Sequence, residues 1–137
     1  MTTSQTDEVL PDPTRWRSLA ICLVAAAMTL LDLSIVNVAL PSLRQSLGAD
    51  DSDLQWIVAG YALAFGVVLV PAGRLGDARS RRAIFILGIA LFTLSSAVAG
   101  AAPNPTVLAI ARVVQGLAGG LISPQTSGFI QNLFRGR

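Results

Sequence analysis

Two groups of polar residues in this sequence sit where they must do something. Asp32, Arg112 and Gln115 lie inside long apolar stretches, Arg112 and Gln115 one helical turn apart. Burying an Asp or Arg in hydrocarbon costs about 2.5–3.5 kcal/mol on insertion scales, so such residues face a cavity or a partner. If the first apolar stretch ends near Leu40 and the fourth begins near Val107, Asp32 lies roughly 12 Å and Arg112 roughly 8 Å below the same membrane face, at ~1.5 Å per residue. Opposite charges at similar depth can pair directly or through water. The other reading has Arg112 extend its long stem to the headgroups.

The second group is Gly73-Arg74-Leu75-Gly76-Asp77-Ala78-Arg79-Ser80-Arg81-Arg82, a dense charge cluster between two apolar runs. Within it, Asp77 can neutralise Arg81 or Arg82 and can accept from a helix N-terminus elsewhere. The plainer alternative is a loop carboxylate that moderates a basic segment. A third pattern follows Arg112: Gln115, Gly116, Gly119, Gly120 and Ser123 recur at helical spacing and share one face. Gly116 and Gly120 form a small-xxx-small pair, which lets a neighbouring helix approach closely.

The elements that position these residues are read from composition. The chain is 53% hydrophobic and 13% charged, about half the charge of a typical soluble domain. The apolar residues fall into blocks at about 19–40, 54–72, 83–102 and 107–130. Each has the ~20 residues needed to cross hydrocarbon, and in that medium such segments must be helices. The expected fold is an all-α membrane protein with four transmembrane helices. No alternation suggests barrel strands. The first block continues well past its Ala25-Ala26-Ala27 site, as an uncleaved transmembrane helix rather than a signal peptide.

Charge placement sets the topology. All ten basic residues are arginine, and net charge is +2. Arg15, Arg17, Arg74, Arg79, Arg81, Arg82, Arg135 and Arg137 fall on one side, Arg44 on the other. The positive-inside rule puts both termini and the 73–82 segment in the cytoplasm. Basic residues confined to helix ends give no nucleic-acid surface. With no His, and with Cys22 alone, neither a metal site, a cofactor site nor a disulfide is expected. No nucleophile–base arrangement suggests an enzyme. Asp50-Asp51-Ser52-Asp53 reads as a helix start, and Pro103 and Pro105 separate the third and fourth helices.

Three segments resemble the fourteen-helix drug:proton antiporter branch of the major facilitator superfamily. Leu31 to Pro41 is similar to its first-helix signature L-D-x-[ST]-x-V-N-V-A-L-P, which includes Asn37. Gly73 to Arg82 is similar to the superfamily loop pattern, with Ala78 and Ser80 where Arg and Gly are common. Arg112 to Gly120 is similar to the fourth-helix pattern R-x-x-Q-G-x-G-x-[AG].

The resemblance implies a proton-coupled exporter of drugs or other small molecules in the cell membrane. Residues 1–17 would form a polar cytoplasmic tail and 18–137 part of the transmembrane domain. Gly73, Asp77, Arg81 and Arg82 would form a conformational switch. Asp32, Asn37, Arg112 and Gln115 would serve proton coupling or the substrate cavity, and Gly116, Gly119 and Gly120 helix packing. Its partners would be the bilayer, protons, a small-molecule substrate and further helices of a longer transporter. A self-contained four-helix protein acting as an oligomer is the competing expectation.

Overall fold

A computed structural model describes residues 13–134. It contains four helices: α1 Pro13–Leu47, α2 Asp51–Ala78, α3 Arg81–Gly100 and α4 Pro105–Phe134. All four are long and apolar enough to cross a membrane. They run past the apolar blocks at several ends. Residues 13–17, expected in the polar tail, begin α1, while residues 1–12 and the terminal Arg135 and Arg137 lie outside the described residues.

α1 also continues through Pro41 to Leu47, where the sequence suggested a loop. Proline removes one helical hydrogen bond, that to the carbonyl four residues back, but the following Ser42-Leu43-Arg44-Gln45 can carry the helix onward. The charged segment 73–82 differs most from expectation. Gly73 to Ala78 complete α2, Arg81 and Arg82 open α3, and only Arg79 and Ser80 lie between. The connection between these long helices is a two-residue break.

Local chemistry explains these ends. Gly48 takes φ +64°, the left-handed conformation that ends a helix with least strain in glycine. Asp50 caps α2 reciprocally: its Oδ1 accepts from the Asp53 N–H at 2.8 Å, and its own N–H donates to Asp53 Oδ2 at 3.2 Å. Arg44 and Asp51 form an exposed ion pair across the same turn. Ser80 caps α3 with extended backbone (φ −147°) and accepts from the Ala83 N–H at 3.3 Å. That conformation makes no demand for glycine, so serine serves there. Asn104 accepts from the Val107 N–H at 2.9 Å, and Pro105 takes the first position of α4.

α4 is the central helix. It packs extensively on α2 and α3 and less on α1. Ala25, Tyr61, Phe85, Phe92, Ala118 and Ile122 form the shared core. Glycines permit the closest approach. A Cβ at Gly116 would lie 2.3 Å from the Tyr61 carbonyl, and one at Gly120 would lie 2.1 Å from Val68 Cγ1. In hydrocarbon, where apolar burial between helices gains little, such close packing and interhelical polar contacts hold a bundle together. α1 has few such contacts, and only Cys22 and Ala25 are buried on it. The Arg15 guanidinium lies 4.5 Å from the Phe134 ring centroid, placing the start of α1 and the end of α4 at the same end of the bundle.

Candidate functional site

Asp32 and Arg112 meet in the interior as an ion pair between α1 and α4. The Arg112 side chain is 1% exposed and that of Asp32 16%. Gln115 completes a closed triangle: its amide donates to Asp32 Oδ1 at 3.1 Å and its oxygen accepts from Arg112 Nη1 at 3.0 Å. Arg112 Nε donates to the Ile57 carbonyl of α2 at 3.3 Å, and its Cζ lies 4.4 Å from the Tyr61 ring centroid. A carboxylate, an amide, a carbonyl and an aromatic face thus surround one guanidinium. Arg112 is turned inward to this partner set rather than outward to the headgroups. One end of the ion pair is locked in place, while the other, Asp32, borders a groove between α1 and α3 with Phe92 and Ile35.

The second cluster lies at the opposite, arginine-rich end. Asp77 pairs with Arg81, one turn apart in sequence but across the break between α2 and α3. Arg81 Nη1 also donates to the Pro124 carbonyl of α4 at 3.4 Å. Arg82 is exposed. Of the two glycines, Gly73 has only ordinary contact, since its Cβ would lie 3.6 Å from that of Pro124. Gly76, which the sequence reading did not single out, is closely covered by a side chain of α4. A Cβ there would lie 2.0 Å from Gln125 Oε1. The fully buried Gln125 lies across it and donates from Nε2 to the Ala72 carbonyl at 2.8 Å.

A cavity of about 490 Å³ opens between α1, α2 and α4, bordered by Thr29, Tyr61, Phe65, Gly119, Ser123 and Thr126. The charged triangle does not line it. Tyr61 connects the two, with its ring beside Arg112 and its phenol oxygen in the notch left by Gly119, where a Cβ would come within 2.9 Å. That phenol has no hydrogen-bond partner among the described residues.

The structure therefore brings Asp32, Arg112 and Gln115 together, and Asp77 with Arg81. It leaves Asn37 apart: that side chain is exposed on α1 and takes no part in the triangle. Gln125, Gly128, Gly76 and the Ile57 carbonyl were not anticipated. One signal was available for Gly128, because Gly116, Gly120, Pro124 and Gly128 continue a four-residue spacing along α4.

Known proteins share this sequence pattern. Residues 22–137 match the Major Facilitator Superfamily. The chain is 44% identical over 124 residues to a puromycin resistance protein of Streptomyces alboniger, covering 90% of this chain and 25% of that protein. It is 44% identical to a probable actinorhodin transporter of Streptomyces coelicolor, covering 90% of this chain and 22% of the other. A cephamycin export protein of Amycolatopsis lactamdurans is 37% identical, with coverages of 88% and 25%. The chain spans about a quarter of the length of these relatives. With four membrane-length helices and a match over most of its residues, the chain belongs to the major facilitator superfamily.

Proposed function

We propose that these helices are the first part of a proton-coupled exporter of antibiotic-like small molecules, of the fourteen-helix drug:proton antiporter type. The Asp32–Arg112–Gln115 triangle carries this reading. Protonation discharges the Asp32 carboxylate, whereas Arg112 remains a cation under all ordinary conditions. Asp32 can therefore change charge beside a partner that cannot. In the deprotonated form α1 is tied to α4 by the ion pair. In the protonated form the tie weakens, and Arg112 retains Gln115, the Ile57 carbonyl and the Tyr61 ring. A proton thereby biases the position of a loosely packed helix beside the α1–α2–α4 cavity. This is how a proton can be coupled to movement of a bound molecule. The cavity's mostly apolar lining, with hydroxyls at Thr29, Ser123 and Thr126, suits a small organic substrate.

Asp77 and Arg81 act on this reading as a latch at the cytoplasmic end. It holds the outward-facing state until the α2–α3 turn is displaced. On this reading that end and both termini face the cytoplasm of a cell-membrane protein, which the arginine excess supports. The relatives are transport and resistance proteins, which favours a carrier over an enzyme. Their greater length favours further helices over a self-contained four-helix oligomer.

The test uses the full reading frame that carries these residues, expressed in an efflux-deficient bacterium. Puromycin and a cephamycin serve as trial substrates. Efflux should collapse on adding a protonophore and persist with vanadate, and Asp32→Asn should remove it while the protein still reaches the membrane. Efflux that survives both the protonophore and Asp32→Asn rules out proton coupling through this triangle.

A further inference from the structure

Arg81 touches three helices at once. It opens α3, pairs with Asp77 near the end of α2, and donates to the Pro124 carbonyl of α4. Beneath the guanidinium lies Gly128, one turn beyond Pro124. A Cβ at Gly128 would come within 1.9 Å of Nη1, 2.4 Å of Cζ and 3.0 Å of Nε. The flat cation thus rests on bare helix backbone. α4 contains no Asp or Glu between Pro105 and Phe134, so a carbonyl and an absent side chain hold Arg81 there in place of a counter-ion. The register is fixed nearby, where Gln125 lies across Gly76 and donates to the Ala72 carbonyl.

We infer that Gly128 is a positioning residue for the Asp77–Arg81 pair, its missing side chain forming a seat on α4 that couples the α2–α3 break to the central helix. The clashing atoms belong to the far end of a flexible side chain. A methyl group at Gly128 would therefore displace Arg81 and leave the helices where they are, in contrast to Gly116, whose obstacle is main chain. The inference deepens the latch reading and rests on it only for its functional consequence.

The experiment uses the full-length protein with a nitroxide on Ala78→Cys, an exposed residue at the end of α2, in a Cys22→Ser background. Gly128→Ala and Arg81→Ala should each change the nitroxide spectrum in the same way. Adding Gly128→Ala to Arg81→Ala should change nothing further, because no guanidinium remains to be displaced. Arg81→Lys, slimmer and able to reach Asp77 at the same spacing, should restore the spectrum of Gly128→Ala towards wild type. Gly66→Ala, where a Cβ meets nothing within 4 Å, should be silent. A wild-type spectrum in Gly128→Ala, or an added change on the Arg81→Ala background, overturns the seat. If Gly128→Ala alone fails to insert, insertion of the double variant at the level of Arg81→Ala supports the seat, and failure of both overturns it. Efflux measured on the same variants separates the two ideas. A shared spectral change with undiminished efflux leaves the seat in place and removes the latch reading.

Discussion

Neutralising Asp32 and Arg112 singly and together should reveal a coupling that no surface ion pair would show. Breaking a buried pair by removing one member costs about 3–5 kcal/mol, because the other charge is left uncompensated. In Asp32→Asn the survivor is Arg112, 1% exposed and unable to lose its proton. It retains the Ile57 carbonyl, Gln115 and the Tyr61 face, so the loss should fall at about the lower end, ~3 kcal/mol. In Arg112→Gln the survivor is Asp32, which keeps the Gln115 amide and borders a groove. A carboxylate can also escape by taking up a proton. Its electrostatic cost should be smaller than that of the stranded guanidinium.

Arg112→Gln also shortens one of the largest fully buried side chains, adding on the order of 1 kcal/mol for the space left behind. That packing cost recurs in Asp32→Asn/Arg112→Gln and cancels in the cycle. The interaction term should therefore be about 0.5–3 kcal/mol in favour of the double variant. The assay is thermal melting of the four purified full-length proteins, with membrane abundance as a second measure. The double variant should exceed the sum expected from the singles, yet fail to couple efflux to protons. Strict additivity would show that the two charges do not depend on one another, and the triangle would lose its claim to a proton-dependent tie.

Reporter fusions or impermeant thiol labelling at Asp51 and Arg79 should give opposite compartments, with Arg79 cytoplasmic; labelling of both from outside would refute the four-span topology. Asp77→Asn should cut efflux far more than abundance, since it removes the Arg81 charge partner without altering size, and normal efflux would return Asp77 to an ordinary helix-end carboxylate. Gly116→Ala should destabilise the bundle by about 1–3 kcal/mol, because its methyl would meet the Tyr61 main-chain carbonyl, which cannot swing aside. A melting temperature equal to wild type in that variant would mean α2 and α4 separate freely.

Some of this was legible in the sequence because its energetic cost is local. Asp32 and Arg112 are expensive wherever hydrocarbon surrounds them, so the sequence asked for a cavity or a partner, and similar depth made each a candidate for the other. The glycine face after Arg112 was legible for a similar reason, as its spacing survives in one dimension. Helix ends were less so. The charged segment from Gly73 read as lying between two helices, yet α2 continues through Gly73 and Gly76 to Ala78. An interior glycine costs only ~1 kcal/mol, which tertiary packing can override, here the Gln125 side chain lying over Gly76. Gln125 itself was hidden because its partner is a main-chain carbonyl, which leaves no mark on sequence. Asn37 shows the converse: a residue carried by a family pattern stands outside the cluster that the same pattern helped to find.

The unequal attachment of the helices gives the charged triangle its leverage. α2 and α3 are bound to α4 along their lengths by glycine contacts and by the aromatic core, including the edge-on Phe85–Phe129 pair at 5.8 Å. α1 has little of this, with two buried residues and a large exposed apolar surface. Among the described residues, the bonds from Asp32 to Arg112 and Gln115 are the directed ties that hold the middle of α1 to α4, beside the Arg44–Asp51 and Arg15–Phe134 contacts near its ends. A change in charge at Asp32 would act on the helix with the least other packing to resist it. The same change placed on α2 would be opposed by the Gly116 and Gly120 contacts. On the proposed reading α1 is therefore the element that responds to the proton. α4 stays fixed, carrying Arg112 towards one end and the seat for Arg81 towards the other.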